Sequence, residues 1–182
     1  NDLKATNEEI AYLKELCQIK TKDRGIPKKR PNVRLPSTIL DNFLYHGDLG
    51  HARNYNLLQE IGIKHILNVS DIELDNEIRD NFNVLWINIG DELGVTIENY
   101  FEQTNKFLRL CQNKNEKVLV HCQMGISRSS SIILAYLITY HFETLSDAYD
   151  HLVNCRRVAA PNFGFFLQLI RYEKLLRENK DK

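Results

Sequence analysis

The sequence predicts an α/β fold: a central, mainly parallel sheet of about five strands flanked by helices on both faces. Three observations predict it. Short apolar runs of strand length alternate with stretches of helical periodicity, the pattern of strand–helix–strand units. One run, Lys117-Val118-Leu119-Val120, is apolar at consecutive positions, as expected of a strand covered on both faces. The stretch from Arg128 to His141 is apolar almost all round and so belongs at the centre of the molecule. At 182 residues, 43% hydrophobic and 26% charged, the chain has the size and composition of one globular domain. Such a domain buries roughly 70% of its unfolded surface without disulfides.

Thr6-Asn7-Glu8-Glu9 is a capping box, and Ile10, Leu13, Leu16 and Cys17 follow it at helical spacing. Residues 21–36 carry Pro27, Pro31 and Pro36 among charges and read as a linker or extended arm. This sets residues 1–35 apart as an N-terminal helix and basic arm. The main domain is expected over 36–178, with a polar tail at 179–182. Within it, Ile39 to Tyr45 reads as a short strand or hairpin, His51 to Ile61 as a helix, and Lys64 to Val69 as a buried strand. A polar helix or loop covers Asp71 to Asn81, another strand Val84 to Ile89, and an amphipathic helix Thr96 to Cys111. Ser146 is expected to cap a helix running to Arg157, and Pro161-Asn162 to open the last helix, to about Asn179.

Twenty-four basic and twenty-four acidic residues cancel. The balance excludes a polybasic chain that holds nucleic acid by bulk charge, and equally an acidic disordered tail. Charge is nonetheless uneven: seven bases lie between Lys20 and Arg34, and nine acids between Asp71 and Glu102. Such runs ordinarily form solvated faces. The longest apolar stretch, Ile132 to Tyr140, falls well short of the ~20 residues that span a bilayer. No signal peptide is visible. Cys17, Cys111, Cys122 and Cys155 form no C-x-x-C pair, and no His cluster has zinc spacing. Reduced thiols in the cytosol or nucleus are expected, with no metal and no cofactor.

The chemistry is concentrated in His121-Cys122-Gln123-Met124-Gly125-Ile126-Ser127-Arg128-Ser129. Cys122 falls at a strand's C-terminal end and Arg128 at a helix start, where ligands bind in open α/β sheets. The five residues between them suffice to wrap backbone N–H groups around an oxyanion. Gly125 permits the strained turn, and the helix N-terminus adds positive potential. Arg128 offers a planar fork to two phosphate oxygens. The same field favours a thiolate at Cys122.

These residues resemble the signature of the cysteine-dependent protein phosphatases, in particular the dual-specificity branch. The resemblance runs from Pro36 to about Lys174. It includes Leu44-Tyr45-His46-Gly47, His65-Ile66-Leu67-Asn68-Val69, Ala135-Tyr136-Leu137 and Pro161-Asn162-Phe163-Gly164-Phe165 with Gln168-Leu169. It implies a cysteine-phosphatase-like fold and assigns roles by position. Cys122 would be the nucleophile, and Arg128 would bind the phosphoryl group together with the loop residues Gln123, Met124, Gly125, Ile126 and Ser127. Ser129 would donate a hydrogen bond to the sulfur. His121 would brace the cysteine through backbone contacts, or be a packed strand-end histidine. Asn162 would support the loop, cap the last helix, or both. The family's general acid follows the strand before the long helix, so Asp91 is favoured over its neighbour Glu92.

The resemblance also frames the substrate. Ile89-Gly90-Asp91 stands where tyrosine-specific relatives carry Trp-Pro-Asp, implying a shallower pocket open to phosphoserine and phosphothreonine as well as phosphotyrosine. Gln123, Met124 and Ile126 are uncharged where lipid phosphatases place lysines. A lipid, RNA or glucan phosphatase on the same scaffold remains an alternative, as does a phosphoprotein-binding pseudoenzyme. Arg156 and Arg157 would form a second anion site, or a charge pair serving a helix C-terminus. Lys28-Lys29-Arg30 with Val33 and Leu35 matches the docking pattern for mitogen-activated kinases, or belongs to a solvated linker. Cys111 and Cys155 are candidates to form a protective disulfide with Cys122.

Overall fold

The computed structural model describes residues 4–25 and 34–180. The kinase-docking pattern therefore lies outside the described residues, apart from Leu35.

Five strands form one sheet: β1 (Ser37–Leu40), β2 (Leu44–Gly47), β3 (Ile63–Asn68), β4 (Asn83–Trp86) and β5 (Lys117–His121). Their order is β1-β2-β5-β3-β4, with β1 antiparallel to β2 and every other pair parallel. The expected strand or hairpin at 39–45 is a hairpin, turned through Asn42 at φ 57°. Asparagine tolerates that left-handed conformation better than most residues.

Side chains alternate across a strand, so each strand feeds two cores. Val118 and Val120 of β5 enter the larger core, whereas Leu119 between them enters the smaller. Leu67 and Ile66 of β3 divide in the same way. The larger core is closed by α1 (Asn7–Thr21), α5 (Phe101–Asn113), α6 (Arg128–Tyr140), α7 (Leu145–Cys155) and α8 (Phe163–Lys180). The smaller is closed by α2 (Leu49–Ala52), α3 (Tyr55–Glu60) and α4 (Asn76–Asn81). Helices thus cover both faces, as the strand pattern predicts. In α6 every residue from Arg128 to Ile138 is buried, which is why its sequence is apolar nearly all round.

Several elements differ locally from expectation. The helix expected over 51–61 is broken in two, because Asn54 leaves helical geometry and its side chain accepts from Leu57 N at 3.1 Å, starting α3 afresh. The helix expected from Thr96 begins as a 3₁₀ turn, Ile97–Tyr100, before α5. The cap of α7 is Thr144, not Ser146. Thr144 is extended and accepts from Asp147 N at 3.0 Å, whereas Ser146 Oγ turns to Glu15. In α1 the capping box forms as expected, but the inward face differs. Leu16 is buried, with Tyr12, Leu13 and Ile19 packed beside it, while Ile10 and Cys17 face solvent.

No described helix is long and apolar enough to cross a membrane. Among the described residues, no group of three or more His, Cys, Asp or Glu is placed to hold a metal ion. All four cysteines are free. Burial pushes the Cys111 thiol up to about 12, and raises Cys155 as well, so neither is a ready thiolate.

Candidate active site

β5 lies between β2 and β3, so its C-terminal end opens at the middle of the sheet edge. The chain leaves β5 at His121, turns through Cys122–Ser127 and enters α6 at Arg128. The turn is tied to the scaffold on several sides. Leu49 N donates to Gln123 O at 3.1 Å, and Arg156 Nε donates to Gly125 O at 2.8 Å. Ala160 N donates to Ile126 O at 2.8 Å, and Ser131 Oγ to Ser127 O at 2.9 Å. Gly125 sits at φ 63°, and a Cβ there would lie 2.4 Å from both Gly47 O and Arg156 Nη2. Only glycine meets both the conformation and the space.

Cys122 is 2% exposed. Its sulfur receives Gly125 N–H at 3.2 Å and Ser129 O–H at 3.1 Å. Ser129 Oγ is also 2.8 Å from His46 Nε2, a buried residue of β2. His121 donates from Nδ1 to Cys122 O at 3.1 Å. Burial pushes the His121 ring down to about 4, and burial first, then Arg156, His51 and His121, hold His46 well below the ordinary histidine range. Both imidazoles are therefore neutral at physiological pH.

The Arg128 side chain is only 6% exposed. Nη1 donates to Asp71 Oδ1 at 2.8 Å and to Ile89 O at 3.0 Å. That hydrogen bond lowers the Asp71 carboxyl below its usual range. Nε lies 3.7 Å from Asp91 Oδ2 and is a buried donor with no hydrogen-bond partner in the protein. A buried guanidinium donor left unpaired is costly, and an anion above Cys122 would satisfy it.

Asp91 reaches the loop from the segment that follows β4. Its Oδ1 accepts from Ser127 Oγ at 2.6 Å and from Asn162 Nδ2 at 2.8 Å, leaving Oδ2 toward Arg128. Asn162 Oδ1 also accepts from Phe165 N at 3.0 Å at the start of α8. Glu92 instead folds back against Gly90.

The structure thus brings Cys122, Gly125, Ser127, Arg128, Ser129, Asp91, His121 and Asn162 into one cluster. Gln123 and Met124 are exposed at its rim, and Ile126 is half-buried. Arg156 is turned inward on the Gly125 carbonyl, with Asp48 at 3.9 Å. Arg157 points to the N-terminal arm, donating to Gly25 O at 2.8 Å. Sequence reasoning missed His46, Asp71 and the inward use of Arg156. The one available signal was a histidine inside the otherwise apolar strand segment Leu44-Tyr45-His46.

Residues 44–175 match the family model described as the dual specificity phosphatase catalytic domain. The chain is 36% identical over 147 residues to the Xenopus laevis protein phosphatase Slingshot homolog, covering 81% of this chain and 21% of that protein. It is 39% identical over 131 residues to mouse dual specificity protein phosphatase 2, covering 72% and 41%. Among solved structures, the human tyrosine phosphatase-like serine/threonine/tyrosine-interacting protein superposes with a TM-score of 0.73 at 29% identity, over 78% of this chain and 97% of that one. The chain spans less than half the length of these two curated relatives. The matched segment contains the whole sheet from β2 onward and the Cys122 loop, so the chain belongs to the dual specificity phosphatase family of the protein tyrosine phosphatase superfamily.

Proposed function

We propose that the chain hydrolyses phosphotyrosine and phosphoserine/phosphothreonine in proteins through a cysteinyl-phosphate intermediate, without a metal ion. The observation that carries this is a sulfur that receives two hydrogen bonds at one end of the loop and a buried, unpartnered Nε of Arg128 at the other. In the first step the Cys122 thiolate attacks phosphorus. The S–P bond forms as the P–O bond to the substrate breaks, and Asp91 gives its proton to the departing oxygen. Arg128 and the loop N–H groups, at the N-terminus of α6, hold the equatorial oxygens. In the second step Asp91 takes a proton from water, whose oxygen attacks phosphorus. The S–P bond breaks to the sulfur, and Ser129 O–H stabilises the thiolate released.

The uncharged Gln123, Met124 and Ile126 support a protein substrate over a polyphosphorylated lipid. Docking to a mitogen-activated kinase through residues 28–35, and residence in the cytosol or nucleus, rest on the sequence pattern alone. The test is hydrolysis of para-nitrophenyl phosphate with a chelator present. Activity is expected in the parent chain and lost in Cys122→Ser and Arg128→Ala. Full activity in Cys122→Ser would overturn the reading. Stoichiometric phosphopeptide binding without phosphate release by the parent chain would replace it with a binding role.

A further inference from the structure

The hydrogen-bond chain at Cys122 does not stop at Ser129. It continues across the sheet to His46, which pairs in register with Val120 of β5 and is fully buried. His46 Nε2 is 2.8 Å from Ser129 Oγ, and Ser129 Oγ is 3.1 Å from Cys122 Sγ. The proton count of this chain decides its direction. A serine hydroxyl has one proton, and a thiolate has none. Ser129 can give its proton to the sulfur only if its other neighbour does not take it. With the proton on Nε2, His46 donates to the Ser129 oxygen and the hydroxyl is turned onto the sulfur. With the proton on Nδ1, Nε2 becomes an acceptor that competes for the same hydroxyl. His46 Nδ1 is buried without a hydrogen-bond partner, so a proton there would be a stranded donor. A bare ring nitrogen in that position costs less. Burial first, and then the charge of Arg156, oppose the doubly protonated form.

We infer that His46 is a positioning residue for Cys122, whose Nε2–H fixes the Ser129 hydroxyl as a donor to the sulfur. This rests on the proposed reactivity of Cys122 as a thiolate. The hydroxyl then stabilises the thiolate in the free protein and again when the S–P bond breaks. A strand neighbour, rather than the signature loop itself, sets the polarity of the sulfur's hydrogen bond.

The experiment is a double-mutant cycle on His46 and Ser129. It reads alkylation of Cys122 by iodoacetamide at mildly acidic pH, located by peptide mass, together with turnover of para-nitrophenyl phosphate. His46→Leu is expected to slow both about tenfold, the upper end of what one neutral hydrogen bond contributes. His46→Gln, whose amide N–H extends toward Ser129, should restore most of the rate. In a Ser129→Ala background His46→Leu should change neither rate further. His46→Asn, with an amide too short to reach Ser129, should behave as His46→Leu and serves if the leucine variant does not fold. Unchanged alkylation in His46→Leu and His46→Asn would overturn the inference. So would an undiminished tenfold effect without Ser129. Alkylation needs no turnover, so this result is separable from failure of the hydrolytic reading, which Cys122→Ser reports.

Discussion

Two segments meet over Cys122, and they are held differently. The loop 122–127 is anchored: α6 that follows it is buried from Arg128 to Ile138, and its carbonyls are gripped by Arg156, Ala160 and Ser131, with only Gln123 and Met124 exposed. The segment carrying Asp91 is exposed from residue 91 to 94. It is tied down mainly by Asp91 itself, by Gln168 Nε2 on Val95 O at 2.8 Å, and by Leu93 O resting against Gly164. The contrast has a chemical sense. Holding a phosphoryl group in line over sulfur demands preorganised donors, which the core enforces. Delivering a proton demands only that one carboxyl reach the leaving oxygen, which a lightly tethered segment allows.

If the two segments are separable in this way, damage to one should leave the other's task intact. The largest effect is expected from Asp91→Asn, which should lower turnover of phenyl phosphate by about 10³ while inhibition by inorganic phosphate keeps its strength. Steady-state kinetics with a competing phosphate series checks this, and a parallel loss of phosphate affinity would break the separation.

Next is acid destabilisation of the loop's footing. The neutral His121 ring is pushed down to about 4 in the folded protein, against 6.5 for the unperturbed group. A depressed pKa means that the unfolded chain takes up the proton first. Stability is therefore full above about pH 6.5 and falls as pH drops toward 4, by about 3 kcal/mol from this group. Urea midpoints across that window should show the loss, and His121→Asn should reduce it, with the depressed His46 ring supplying a further part. A midpoint independent of pH would contradict the buried neutral ring.

The smallest effect tests the tether. A Cβ at Gly164 would lie 2.2 Å from Leu93 O, so Gly164→Ala must push the Asp91 segment aside. Turnover should fall about tenfold through misplacement of the acid, with Cys122 alkylation unchanged.

The same division governs what the sequence made legible. The Cys122–Ser129 signature is one contiguous stretch whose residue types state the chemistry, and the strand–helix alternation states the fold. Asp91 and Asn162 are legible as candidates because each sits beside a recognisable element boundary. His46, Asp71 and the inward turn of Arg156 are not legible there. Each acts across a gap that only the folded sheet closes, 83 positions from His46 to Ser129 and 57 from Asp71 to Arg128. Asp71 stood in an acidic run that reads as a solvated face, and its carboxyl is indeed half exposed while it pairs with Arg128. For Arg156 and Arg157 the sequence leaves a second anion site and a helix-end charge pair open, and only the fold separates their partners. The break at Asn54 and the cap at Thr144 are hidden for a similar reason, since a cap depends on backbone geometry that several nearby polar residues could supply.

The central claim is that Cys122 forms a bond to phosphorus, and rapid acid quenching of the protein with excess phosphotyrosine peptide tests it most directly. Peptide mass mapping should find a phosphate adduct on Cys122, accumulating within the first turnover and absent from Cys122→Ser. Release of phosphate with no adduct on Cys122 at any quench time, or with the adduct on another residue, would contradict the account.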